Sequence, residues 1–179
     1  MSTLITTSPV RGRSRVERRP EDPLDFILYE HLRHRVMCNA LDELAEAETF
    51  DADAVAKLAE FIRAELSVHI ADEEEVFFPI LQDRCRPEDE IDVALQRMSR
   101  EHAEDRQLSA DVRIFLLTAA MEKRSVPSIP GAAEALKRFA HNQRRHMMLE
   151  NAVLIPLARQ RLTDEDFALL AQRLAARRP

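Results

Sequence analysis

The stretch HIADEEEVFFP, residues 69–79, places a histidine, a glutamate four residues on and a proline ten residues on inside a segment of helical period. It returns as HMMLENAVLIP, residues 146–156, with glutamate again at +4 and proline again at +10. For this composition roughly 0.03 such matches arise by chance, so two of them point to internal duplication. A second pair lies upstream of each: Glu30-His31-x-x-x-Arg35 is mirrored by Glu101-His102-x-x-x-Arg106. The motifs alternate along the chain, as expected of two helical hairpins related by a pseudo-twofold axis.

The flanking sequence has the period of amphipathic helices. Leu24, Ile27, Leu28, His31, Cys38 and Leu41 recur at spacings of three, four and seven, which predicts a helix from Pro23 to about Ala47. A second helix, capped by Asp51 or Asp53, carries Leu58, Phe61, Ile62, His69, Glu73, Phe77 and Ile80 to about Arg84. A third opens at Arg86-Pro87-Glu88 with proline in its first turn and runs to about Glu122. A fourth begins near Ser128-Ile129-Pro130 and carries Leu136, Phe139, His146, Glu150, Leu154 and Leu157. Short connections between four long helices predict an all-α, antiparallel up-down-up-down four-helix bundle. A short additional C-terminal helix, capped by Thr163 with Asp166 three places on, is expected to pack outside it.

Residues four apart on a helix lie one above the other, about 6 Å apart, so His69 can share a site with Glu73 and His146 with Glu150. With His31 and His102 on inward stripes, four imidazoles and two carboxylates converge inside the bundle. Burying that set without counter-charge would cost several kcal/mol, and a pair of divalent cations removes the cost.

Composition narrows the function. A length of 179 residues with 45% hydrophobic residues suits one packed domain, and only two glycines argue against sheets with tight turns. A net charge of −6 disfavours a nucleic-acid partner. No run approaches the roughly 18 apolar residues of a membrane span. Cys38 and Cys85 are too few for a disulfide framework, and the opening residues lack the pattern of a secretory signal, so a cytoplasmic protein is expected. Residues 1–20, with Arg11, Arg13, Arg15, Arg18 and Arg19 among Ser, Thr and Pro, read as a disordered basic arm preceding a folded domain at 21–179.

The EH dipeptides on the first and third helices, and the HxxxE segments followed by proline on the second and fourth, resemble the hemerythrin HHE cation-binding domain over roughly residues 23–160. That resemblance implies a non-haem di-iron centre, with manganese or zinc as other cations such donors accept. The implied ligands are His31, His69, Glu73, His102, His146 and Glu150, the two glutamates bridging. Oxygen-carrying hemerythrins place a further histidine where this chain has Arg106 and an aspartate where it has Asn151. Six protein ligands leave open positions, which favours reactivity with dioxygen, nitric oxide or peroxide.

Other residues have both a functional and a plain reading. Arg35 and Arg106, one turn beyond ligand histidines, are candidates for a second shell that orients the carboxylates, or for arginine stems packed on the core. His34 is either an extra ligand or a helix-surface histidine, and His141, rotated off the ligand face, is read as surface. Glu30 and Glu101 point away from the ligand face and read as solvated or salt-bridged. The run Asp72-Glu73-Glu74-Glu75 reads as a solvated face with Glu73 alone turned inward. Pro79 and Pro156 are expected to end or kink their helices beyond the site. Cys38 reads as plain core. Three functions fit: a protein that binds or senses dioxygen, nitric oxide or iron; an enzyme-like protein reducing peroxide or nitric oxide, or delivering iron to damaged iron-sulfur centres; and a metal-free helical interaction module.

Overall fold

Five helices, four of them long, account for most of the described residues, which contain no strand. The structure, a computed structural model, describes residues 20–178. The basic arm expected over residues 1–20 lies, except for its last residue, outside the described residues.

Helix α1 is Pro23–Glu46, and the Asp22 carboxylate caps it by accepting from the backbone N–H groups of Leu24 and Asp25. Helix α2, residues 52–84, is capped by Asp51. Helix α3 is Ile91–Glu122 and α4 spans residues 132–161. Helix α5, Asp164–Ala176, opens with the expected Thr163–Asp166 capping box. Arg84 ties α5 to α2 through a two-pronged pair with Asp166 at 2.7 and 2.9 Å.

Two helix starts differ from the sequence reading. Pro87 does not sit in the first turn of α3: Pro87–Asp89 forms a separate 3₁₀ turn, and Glu90, at φ 49°, breaks the chain direction before Ile91. Asp89 stabilises this turn by accepting from the Arg86 N–H and from Arg161 of α4. Likewise Val126–Ser128 is a 3₁₀ turn, and α4 starts only after Gly131, whose φ of 80° favours a residue without a Cβ.

Pro79 and Pro156 neither end nor break their helices, which continue to Arg84 and Arg161. Each instead follows a π-helical turn, Glu73–Phe77 in α2 and Glu150–Leu154 in α4. A proline has no N–H to continue the α ladder, and the widened turn absorbs the interruption. In both, the glutamate carbonyl accepts from the N–H five residues on, Phe78 or Ile155. The π-turns thus start at the two glutamates of the repeated motif.

Helix α1 packs on α2, α4 and α5, and α3 packs on α2 and α4. The core divides into two apolar clusters. One joins Leu24 and Ile27, Phe77 and Leu81, Ile91 and Met98, Leu154 and Ala158 to Leu170 and Leu174 of α5. The other joins Cys38 and Leu41, Val55 and Ile62, Val112 and Leu116, and Leu136 and Phe139. Burial pushes the Cys38 thiol up to about 12, consistent with a packing residue. His31, His69, Glu73, His102, His146 and Glu150 fall between the clusters along all four long helices.

Candidate metal centre

The structure brings the side chains of His31, His69, Glu73, His102, His146 and Glu150 together, each at most 4% exposed. They form two four-residue groups: His31, His69, Glu73 and Glu150 in one, and Glu73, His102, His146 and Glu150 in the other. Glu73 presents Oε1 to His69 Nε2 (3.0 Å) and His31 Nε2 (3.6 Å), and Oε2 to His102 Nε2 (3.3 Å). Glu150 presents Oε2 to His31 Nε2 (3.2 Å) and Oε1 to His146 Nε2 (3.3 Å). Each carboxylate therefore offers one oxygen to each group.

The outer ring nitrogens explain why the Nε2 atoms face inward. His31 Nδ1 donates to Asn151 Oδ1 (2.6 Å), His69 Nδ1 to Glu30 Oε2 (3.1 Å) and His102 Nδ1 to Glu74 Oε1 (2.5 Å). An amide carbonyl or carboxylate oxygen only accepts, so the proton sits on Nδ1 and the Nε2 lone pair is left for the interior. His146 Nδ1 faces Glu101 Oε2 at 3.7 Å, an ion-pair separation too long for a hydrogen bond. The pattern follows the duplication. The residue before each EH histidine faces the histidine of the next long helix, and the residue after each motif glutamate faces an EH histidine.

The donor set fits divalent cations. His31 Nε2, His69 Nε2 and all four carboxylate oxygens of Glu73 and Glu150 are buried without a hydrogen-bond partner. His102 Nε2 and His146 Nε2 lie 2.7 Å apart. Two lone pairs at that distance repel unless a proton or cation lies in reach of both. Donor atoms bound at about 2.1 Å to one cation stand roughly 3 Å from one another, close to the separations found here.

Without a metal, protons take that role. Burial would drive the imidazoles neutral, but the facing carboxylates of Glu150 and Glu73 outweigh it and push His31 up to about 9. His102 reaches about 9 in the same way, against burial, through Glu73 and Glu74. His69 is also raised well above its ordinary value despite burial, through the charge of Glu73 and the bond to Glu30. Burial raises the Glu73 carboxyl, yet the His69 charge and the facing rings of His102 and His31 hold it well below the usual carboxylate range. Without a metal, the raised rings of His31, His69 and His102 thus face the carboxylates of Glu73 and Glu150 as opposite charges.

Several neighbours differ from their sequence reading. Arg35 and Arg106 are exposed and form no second shell. At 100° per residue the buried arc of each helix extends about 20° to one side of the ligand histidine and at least 120° to the other, and an arginine at +4 falls about 40° out on the narrow side. The +3 positions, His34 and Asp105, take the inward place instead. His34 is buried rather than on the surface, set edge-on to His69 and Phe61 at centroid distances of 4.3 and 5.3 Å. It belongs to neither donor group, and burial with the nearby His69 and His31 holds it well below its ordinary pKa. His141 is exposed. Asp72 is buried, and Glu74 bonds Ser99 and His102, so the acidic run is not a solvated face.

Glu30 and Glu101 are salt-bridged, as one of their two readings has it, but the ring-holding role of Glu30, Glu74 and Asn151 is absent from the sequence reading. A signal existed in their mirrored positions, one residue before or after a motif donor. No helix among the described residues is long and apolar enough to cross a membrane. No curated protein matches the chain. The family model for the hemerythrin HHE cation binding domain matches residues 22–158, and the chain belongs to that family.

Proposed function

We propose that this chain is a non-haem di-iron protein that binds or senses dioxygen or nitric oxide, with peroxide as a further small-molecule partner. One cation would be held by His31, His69, Glu73 and Glu150, the second by His102, His146 and the same two carboxylates, which act as bridges. The observation that carries this reading is the sharing of Glu73 and Glu150, one oxygen to each group. The arrangement of the apolar clusters, with the start of α1 beside the end of α2, supports the antiparallel up-down-up-down order.

Two imidazoles and two carboxylate oxygens per cation suit iron and leave positions open, whereas four such donors complete the tetrahedral shell that zinc prefers. A bound iron pair supplies redox change and sites for a small ligand. The chain supplies the rest. Glu30, Glu74 and Asn151 fix the ring tautomers, the Phe78 ring stacks on His102 at 5.8 Å, and apolar clusters on either side exclude bulk water. Donors this deeply buried favour a diatomic-sized ligand over a larger substrate.

Elemental analysis of protein purified without added metal, with absorption spectra before and after anaerobic reduction and return to oxygen, tests the reading. The expected result is about two irons per chain and an oxygen-sensitive near-ultraviolet band. Zinc alone, or one redox-silent ion, would end the oxygen-chemistry reading. His141→Ala serves as the internal control. Its ring is exposed and off the ligand face, so metal content should equal that of the parent, and loss of metal would show that the ligand face of α4 is misassigned.

A further inference from the structure

The two halves of the site match in their inner donors but not in what holds them. Around His102 and His146 the supporting carboxylates are partly exposed. Glu101 stands 3.7 Å from His146 and is shared with Arg97 and Arg145, whose side chains are about half exposed. Around His69 the support is buried and continues outward. Glu30 accepts from His69 and from Arg178, whose Nη2 donates to both carboxylate oxygens at 2.8 and 2.9 Å. Arg178 Nη1 also pairs with Asp72 at 2.6 Å and donates to the Leu174 carbonyl at 2.7 Å. Its guanidinium lies 4.7 Å from the centroid of Phe26, and its side chain is only 11% exposed.

We propose that Arg178, just beyond α5, is a positioning residue for the metal centre: by clamping Glu30 and Asp72 it fixes His69 and makes the His31/His69 position bind its cation more tightly than the His102/His146 position. The inference rests on the metal-binding reading above and adds to it an inequality between the two cations and a role for α5. The guanidinium acts on the site through Glu30, which orients the His69 ring, while Asp72 serves as its second anchor. A planar fork suits this task because two carboxylates can be held at once in fixed geometry. A carboxylate that orients a ligand histidine typically changes metal affinity about 10- to 100-fold.

Release of Co²⁺ from loaded full-length protein to a chelator, followed by its visible absorption, tests this. The parent should release in two phases. Arg178→Gln should speed the slower phase about 10- to 100-fold and leave the faster phase unchanged. Arg178→Lys, which keeps the charge but not the fork, should fall between. Because Arg178 acts through Glu30, the double variant with Glu30→Gln should release no faster than Glu30→Gln alone. Arg84→Ala cuts a different tie between α5 and the bundle, at Asp166, and should lower the melting temperature while leaving both phases in place. Equal acceleration of both phases, a single phase in the parent, or the Arg178→Gln effect reproduced by Arg84→Ala would each overturn the positioning role. A parent that takes up no cation at all would instead overturn the metal reading, and this inference with it.

Discussion

Glu73→Gln should empty both metal positions at once, while His69→Ala should empty only one. The glutamine keeps the volume and one carbonyl oxygen but replaces a charged donor with an amide nitrogen that cannot bind a cation. Glu73 faces His31 and His69 with one oxygen and His102 with the other, so either orientation of the new amide spoils one group and removes charge from both. The loss of affinity should exceed the roughly 100-fold ceiling for residues that merely orient a ligand. Glu150→Gln should behave the same way, since its oxygens divide between His31 and His146. Metal per chain by elemental analysis, with far-ultraviolet circular dichroism to show that the fold persists, decides the matter. Two metals retained in both variants would remove the bridging assignment, and loss of both metals in His69→Ala would mean that the positions fill only together.

What could be read from the sequence was whatever repeats along a single helix. His69 with Glu73, and His146 with Glu150, are i,i+4 pairs, so their convergence follows from 100° per residue once the helix is granted. The apolar stripes gave the helix extents to within a few residues for the same reason. Contacts between helices were less legible. Glu30 lies one residue from His31 and so points away from that ring's site, but pointing away within a helical bundle means pointing at a neighbour, and the neighbour is His69. Glu74 and Asn151 follow the same logic with His102 and His31. Arg35 failed in the opposite sense. Its spacing from His31 is right for the same face, but the buried arc is lopsided, and only packing decides to which side it leans. The π-turns after Glu73 and Glu150 were invisible to a 3.6-residue period, although the prolines at +6 marked where the regular ladder had to give way.

Stripping the metal should leave a folded protein whose stability depends steeply on pH, and reloading should remove much of that dependence. In the metal-free protein His31 and His102 titrate near 9, above the ordinary value of 6.5 that they take when unfolded. Their protonated pairs with Glu73 and Glu150 therefore contribute fully below about pH 6.5, and the contribution is lost as pH rises through 9. Glu73 and Glu150 have folded values below their ordinary 4.5, so their contribution is complete above that value and is lost as pH falls further. Buried His34, held below its ordinary value, loses stability as pH falls below 6.5, so the metal-free protein should melt highest toward the upper end of the window from about pH 4.5 to 6.5. A cation needs neutral imidazoles, so protons and metal compete, and the gain from metal should be small in acid and grow with pH. With free metal at about 1,000 times its dissociation constant the gain is about 4 kcal/mol, which for a domain of this size raises the melting temperature by on the order of 10 °C. Melting curves of chelator-treated and reloaded protein from pH 4 to about 9.5 cover both windows. Coincident curves at high pH, or a metal-free protein whose melting temperature stays flat between pH 6.5 and 9, would show that the buried rings and carboxylates are not waiting for a cation.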